Sequence, residues 1–142
     1  MSSPQLEDVL IQKITALQRC VFRARDLRQR AGAEFSASFD FQDAAVLNVL
    51  RACETAIDLA NMLLRKDRLG IPSESREAFA ILARERCIPA DLSERLQKMV
   101  GFRNVAVHQY RALDPAIVAA VIDTGLEDLL TFAEMVRKGT SA

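Results

Sequence analysis

The sequence predicts an all-α fold, an up-and-down bundle of four main helices with one short extra helix. Apolar residues recur at three- and four-residue steps over long stretches, and no segment alternates with the period of a strand. Residues typical of helix starts and stops separate these stretches. With 142 residues, the chain is expected to form a single domain over residues 1–142 that buries a substantial core.

The first two helices are predicted to be long and antiparallel. The first runs from about Leu6 to Gln29 and stops before Gly32. Its apolar face consists of Leu6, Val9, Leu10, Ile14, Leu17, Val21, Ala24 and Leu27. Asp40 is the predicted N-cap of the second helix, which the sequence Gly70-Ile71-Pro72 stops. Its buried stripe consists of Val46, Val49, Leu50, Cys53, Ile57, Ala60 and Leu64.

Three further helices follow the long pair. A short one is predicted from about Ser75 to Arg86, and Asp91 with Glu94 forms a capping-box pattern at the start of the fourth. The fifth is predicted to have Asp114 as its N-cap and Pro115 at its first position, and to run to about residue 137. Its buried residues are predicted to be Val118, Val121, Ile122, Leu129 and Val136.

The charge balance argues against a protein that binds nucleic acid by charge alone. Nineteen basic side chains are matched by nineteen acidic ones, whereas such binders are clearly basic. One stretch is locally basic, with Arg19, Arg23, Arg25, Arg28 and Arg30 against the single acid Asp26. These arginines form either a basic binding surface or simply the solvated face of a helix.

The remaining composition points to a reducing compartment without a metal centre or cofactor. Cys20, Cys53 and Cys87 are far apart and are expected to fill the core rather than to form disulfides. One histidine and scattered cysteines do not make a usual zinc ligand set, and a carboxylate-only magnesium site has no recognisable spacing. The chain shows no apolar run long enough to span a membrane and no secretory signal. We therefore expect a cytoplasmic protein.

The segment from Arg103 to Tyr110 concentrates residue types that suit chemistry on a phosphodiester. It contains an arginine, the only histidine and the only tyrosine of the chain. A guanidinium binds phosphate oxygens bidentately, and imidazole exchanges protons readily near neutral pH. Positions 103 and 108 lie roughly 140° apart around a regular helix. Joint action within one chain therefore requires the fourth helix to end or distort near Ala106, with His108 and Tyr110 pointing the same way from an extended segment.

A purely structural role is the alternative for each of these residues. Arg103 would then pair with a carboxylate, His108 would hydrogen-bond the backbone at a helix end, and Tyr110 would pack at a corner.

The pattern Arg-x4-His-x-Tyr lies within a longer set of characteristic segments. Met99-Val100-Gly101-Phe102 precedes it, and the earlier segments are Phe41-Gln42-Asp43, Asn48 with Leu50, Cys53-Glu54, Ile57-Asp58-Leu59-Ala60-Asn61, and Leu69-Gly70-Ile71-Pro72 with Arg76 and Phe79. In order and spacing they resemble the HEPN superfamily, specifically the HepT-type ribonuclease toxins of bacterial toxin–antitoxin pairs. The resemblance implies a metal-independent endoribonuclease toxin of a type VII-like system, with transfer RNA as a candidate substrate. It also implies a homodimer in which the motifs of two subunits meet at a composite cleft.

The resemblance also implies roles for individual residues. Arg103 is the catalytic cation that stabilises the phosphorane, and His108 is the catalytic acid or base. The chemistry of its side chain alone leaves three roles for Asn104: it orients the phosphate, holds the histidine tautomer or caps a helix end. Tyr110 matches the acceptor of adenylyl groups from a cognate MntA-type minimal nucleotidyltransferase, which acts as the antitoxin. A nucleotide beside His108 would place negative charge where the RNA phosphate must bind.

Two carboxylates of the second helix require a partner. Glu54 and Asp58 lie four residues apart on one face, and either Arg103 or Arg51 supplies the cation they need. The simpler alternative is a pair between Arg51 and Glu54 within the helix, with Asp58 in solvent. Neither carboxylate is assigned a catalytic role.

Two other functions compete with that of a ribonuclease toxin. A non-catalytic nucleotide- or protein-binding HEPN subunit that partners a nucleotidyltransferase would suit the neutral net charge. A plain structural bundle is the third. The intact Arg-x4-His-x-Tyr pattern favours the enzyme, because a scaffold needs neither ionisable group.

Overall fold

Six α-helices form the described part of the chain. The structure, a computed structural model, describes residues 4–141, and the side chains of all of these except residues 111, 140 and 141. The helices are α1 (Pro4–Ala31), α2 (Phe39–Lys66), α3 (Ser75–Arg84), α4 (Ala90–His108), α5 (Pro115–Ala120) and α6 (Leu126–Ser141). Residues 4–141 contain no strand, so the all-α prediction is confirmed. None of these helices combines the length and the apolar character needed to cross a bilayer.

Helix α2 lies at the centre of the bundle and contacts α1, α3, α4 and α6. Small buried residues recur along it, namely Ala45, Ala52, Ala56 and Ala60, and small side chains allow neighbouring helices to approach closely. Lys13, early in α1, pairs with Asp58, late in α2, with 3.3 Å between Nζ and Oδ2. The long pair is therefore antiparallel, as predicted.

Two predicted helix caps are wrong. The hydroxyl of Ser38, rather than Asp40, caps α2 by accepting a hydrogen bond from the amide of Phe41 at 3.4 Å. Helix α4 begins directly after Pro89 without a side-chain cap, and Asp91 lies inside its first turn. Acidic residues stabilise both the cap position and the first turn. The residue type alone therefore does not distinguish the two positions.

The long fifth helix of the prediction is interrupted. Its start is confirmed, because Asp114 accepts a hydrogen bond from the amide of Ala116 at 2.8 Å and Pro115 is the first helical residue. A π-helical turn at Val121–Gly125 then separates α5 from α6. A Cβ on Gly125 would lie 2.8 Å from Cε of Met99 in α4, so the glycine permits close contact at this turn.

Three of the five arginines in the basic part of α1 pair with carboxylates. Three ion pairs form there: Arg25–Glu127 at 2.9 Å, Arg28–Asp123 at 3.2 Å and Arg30–Asp26 at 3.1 Å. Two of them connect α1 to the π turn and to α6. This arrangement favours the solvated helix face over an open basic surface.

The cysteines do not all fill the core. Cys53 is buried as predicted, whereas Cys20 is only half-buried and Cys87 is exposed. Cys87 lies in the loop after α3, where its neighbours leave it accessible to solvent. Burial raises the pKa of the Cys53 thiol to about 12, so this thiol stays protonated at neutral pH.

Candidate active site

Helix α4 continues through His108 and carries most of the predicted motif. The amide of Gln109 still donates to the carbonyl of Val105 at 2.7 Å, and residues 105 and 107 are accommodated as exposed helical positions. The expected end near Ala106 is therefore wrong. Arg103 and His108 lie roughly 140° apart around α4 and about 7.5 Å apart along its axis. One chain does not present them on a single face.

Arg103 is held in place by residues of two other helices. Its Nη1 lies 3.2 Å from Oε1 of Glu54 in α2, and its Nη2 donates to the hydroxyl of Ser75 in α3 at 3.0 Å. The side chain is only 20% exposed. Its Nε is buried and finds no acceptor among the described residues. The guanidinium is thus positioned before any substrate binds.

The partners of the two α2 carboxylates are now defined. Glu54 pairs with Arg103, one of the two predicted cations, and the alternative pair with Arg51 is wrong. Asp58 is not free in solvent, because it pairs with Lys13. A pair between Arg51 and Glu54 would be an exposed contact within one helix, and such contacts stabilise little. The less exposed Arg103 offers Glu54 the better partner.

A polar surface cavity opens beside Arg103. It is lined by Glu74, Ser75, Arg76, Val100, Arg103 and Asn104. Asn104 lies inside α4, four residues before its last residue, so the helix-end cap considered for it is wrong. Gly101 makes room for Arg76, since a Cβ there would lie 2.5 Å from Nη2 of that side chain. Two guanidinium groups and the first turn of α3 therefore meet in a place suited to an anion.

The side chain of Tyr110 forms a hydrogen bond with a residue near the start of α2. Tyr110 opens a short 3-10 turn, Tyr110–Ala112, and its hydroxyl donates a hydrogen bond to Oδ1 of Asp43. The extended segment expected for His108 and Tyr110 is therefore wrong. The tyrosine is 42% exposed. Partial burial, and then the hydrogen bond and charge of Asp43, raise the pKa of Tyr110 to about 12.

Two carboxylates on one face of α2 contact the two ends of the motif. Asp43 and Glu54 are separated by three helical turns, which places them roughly 20° apart around the axis and about 16 Å apart along it. Arg103 pairs with Glu54, and Tyr110 donates a hydrogen bond to Asp43. The last two turns of α4 thus run antiparallel to the first half of α2.

His108 is exposed, as Tyr110 is, but unlike Arg103 and Tyr110 its side chain has no partner among the described residues. It is the last residue of α4, and its side chain makes no hydrogen bond within the described part of the chain. The backbone bond of the structural alternative is therefore not formed. Over the described residues, no three His, Cys, Asp or Glu side chains are arranged to hold a metal ion.

The motif could be recognised from the sequence, but three of the contacts around it could not. Ser75, the contact made by Arg76 and the bond between Asp43 and Tyr110 had not been predicted. The available signal was Gly101, a glycine inside a helix two residues before Arg103, which often indicates close approach of another group.

Known proteins of similar sequence indicate the family to which this chain belongs. The family model described as ribonuclease HepT-like matches residues 11–136. The mRNA nuclease HepT of Shewanella oneidensis is 40% identical over 132 residues, which cover 93% of this chain and 98% of that protein. A putative RNase of Archaeoglobus fulgidus is 32% identical over 89 residues, 63% of this chain and 67% of that protein.

Solved structures show the same relationship. The tri-AMPylated Shewanella oneidensis HEPN toxin in complex with MNT antitoxin superposes with a TM-score of 0.87 at 40% identity, over 92% of this chain and 98% of that one. A toxin–antitoxin structure with AMP-PNP gives the same values. The cytosolic protein YutE of Bacillus subtilis, of unknown function, shares the fold with a TM-score of 0.80 at 15% identity. As the sequence resemblance predicted, the chain belongs to the ribonuclease HepT-like family.

Proposed function

We propose that this chain is the endoribonuclease toxin of a cytoplasmic toxin–antitoxin pair, with Arg103 and His108 as its catalytic residues. The observation that carries the proposal is the positioned guanidinium of Arg103 beside a polar cavity, on the same helix as an exposed histidine. The name of the Shewanella relative supports RNA as the substrate. That name favours messenger RNA, and transfer RNA is the other candidate.

The proposed reaction uses the 2′-hydroxyl of RNA as the nucleophile. Its attack on the adjacent phosphorus needs a base, an acid for the leaving oxygen and a cation for the extra charge of the phosphorane. A guanidinium has five N–H donors, and Glu54 and Ser75 each engage one terminal nitrogen of Arg103. Further donors remain for phosphate oxygens. His108 exchanges the proton, and Asn104 lines the cavity where it would orient the phosphate.

A homodimer would complete the site. Arg103 and His108 lie on different sides of α4, and a single chain has only one histidine to serve as both acid and base. A twofold interface repeats each contact with roles exchanged. It therefore brings two copies of the motif together and supplies a second imidazole.

Regulation of this activity is proposed to act through Tyr110. The relative whose toxin is tri-AMPylated in complex with MNT antitoxin supports a nucleotidyltransferase as the partner. Tyr110 is partly exposed and lies two residues from His108. An adenylyl group on its hydroxyl would add bulk and negative charge beside the bound RNA phosphate.

One observation favours a non-catalytic subunit as the second candidate. The net charge is zero and three of the five arginines in the basic stretch of α1 are paired with carboxylates, which weakens bulk attraction to RNA. Such a subunit would bind the nucleotidyltransferase without cleaving RNA.

Removing either catalytic side chain should abolish RNA cleavage while the fold persists. His108 is exposed, and the partner that Arg103→Ala leaves behind, Glu54, is itself 52% exposed. Cleavage by purified Arg103→Ala and His108→Ala would be measured together with circular dichroism. Full cleavage by His108→Ala would contradict the enzymatic assignment.

The same two variants test the composite site. Mixing them should restore only weak activity, because a heterodimer carries one intact arginine and one intact histidine but lacks the second imidazole. Analytical ultracentrifugation of the wild type gives the oligomeric state. A fully active monomer would rule out the composite cleft.

Cleavage should continue in excess chelator, since the proposed chemistry needs only arginine and histidine. The products should carry a 2′,3′-cyclic phosphate, which internal attack generates. Mass spectrometry of the RNA fragments distinguishes this end from a 3′-hydroxyl. A strict magnesium requirement with 3′-hydroxyl ends would exclude the mechanism.

Glu54→Gln should lower kcat/KM by about tenfold, because loss of the charge loosens Arg103 and small misplacements in an active site reduce rates strongly. Asp58→Asn is the matched control: it lies one turn further on α2 and pairs with Lys13 instead. Equal rates for both variants would limit Glu54 to a structural role.

Tyr110→Phe should prevent silencing, because it removes the acceptor oxygen and keeps the ring. With ATP, magnesium and the cognate nucleotidyltransferase, the intact mass of the wild type should rise by one or more AMP units and its ribonuclease activity should fall. The variant should keep its mass. Labelling of the variant at a serine or threonine would show that Tyr110 is not the acceptor.

A further inference from the structure

The hydroxyl of Tyr110 needs a proton acceptor before it can accept an adenylyl group. This requirement rests on the proposed function, in which Tyr110 is the modified residue. A phenol attacks phosphorus well only as it loses its proton. The surroundings that raise the pKa of Tyr110 to about 12 keep that proton in place at neutral pH. Spontaneous ionisation is therefore a poor route to modification.

Among the described residues, Asp43 is the group placed to accept this proton. Its Oδ1 already receives the hydrogen bond of the Tyr110 hydroxyl. It lies in the second turn of α2, on a helix that the bundle holds on several sides, so its position does not depend on a loop. We propose that Asp43 is the general base for adenylylation of Tyr110.

The nearest alternative base on the motif is His108. It lies two residues before the tyrosine on the last turn of α4, and it makes no hydrogen bond to Tyr110 within the described residues. The hydroxyl donates its hydrogen bond to Asp43 from α2 instead. Among the described charged groups, Asp43 is the one that shifts the pKa of Tyr110.

The step balances with ATP as the co-substrate, which the nucleotidyltransferase partner supplies. The phenol oxygen of Tyr110 forms a bond to the α-phosphorus. The bond from that phosphorus to the oxygen bridging to the β-phosphate breaks, and pyrophosphate leaves with the electron pair. The phenol proton passes to Asp43 and then to solvent. Both Tyr110 and Asp43 are exposed enough for the partner's nucleotide to approach.

The test compares Asp43→Asn with Asp43→Ala and with Asp40→Asn. Asparagine keeps the size and an acceptor oxygen but does not take the proton, whereas alanine also removes the contact. Asp40 is an exposed carboxylate three residues earlier on α2, so Asp40→Asn makes the same change of charge as a matched control. Initial rates of AMP incorporation would be measured by intact mass with ATP, magnesium and the cognate nucleotidyltransferase.

Asp43→Asn should slow AMP incorporation about a hundredfold, the lower end of what a general base contributes. Without the base, the phenol must first ionise to solvent. The rate of this variant should therefore rise about tenfold per pH unit between about pH 7 and pH 9, and the wild type should rise far less. Asp40→Asn should match the wild type.

Two results would overturn the inference and leave the proposed regulation intact. One is a wild-type rate in Asp43→Asn. The other is equal slowing of Asp43→Asn and Asp43→Ala with the pH profile of the wild type, which would make Asp43 a positioning residue only. Failure of the wild type itself to accept AMP would instead overturn the proposed modification, and the inference with it.

Discussion

The position of α2 at the centre of the bundle constrains everything else in this structure. Its small buried residues allow α1 to pack closely along one side, while α3, α4 and α6 cover others. The carboxylates of Asp43 and Glu54 then lie at two points along one face of the helix, and α4 with its following turn supplies a polar partner for each. The packing of apolar residues therefore fixes the distance between the arginine and the tyrosine of the motif.

The helices could be predicted from the sequence because each must bury one apolar stripe, and that stripe repeats with the period of a helix. The ends of the helices were harder to predict. An aspartate such as Asp40 or Asp91 stabilises a helix from within its first turn as well as from the cap position. The π turn gave no signal in the apolar pattern. Val118, Ile122 and Leu126 are buried at four-residue steps, which an uninterrupted α-helix would also show.

The candidate site also has a part that could be predicted from the sequence and a part that could not. Arg103, His108 and Tyr110 are close in sequence and could be recognised as a pattern. Their partners Ser75 and Asp43 lie 28 and 67 residues away along the chain. Only the folded bundle defines such pairings. The continuation of α4 to His108 also depends on tertiary packing. Val105 and Val107 are β-branched and favour a frayed helix end, but the burial of Ala106 between them keeps this turn helical.

The distribution of charge explains why modification of a single tyrosine would suffice for control. The acidic and basic residues balance, and three of the five arginines in the basic stretch of α1 are paired with carboxylates. Little surplus positive charge is left, so RNA capture would depend on a few cations near the motif, chiefly Arg103 and Arg76. A strongly basic protein would retain its attraction for RNA after gaining a phosphodiester. Under the proposed regulation, each adenylyl group on Tyr110 would offset a large part of the local positive charge, beside the histidine proposed to reach the substrate.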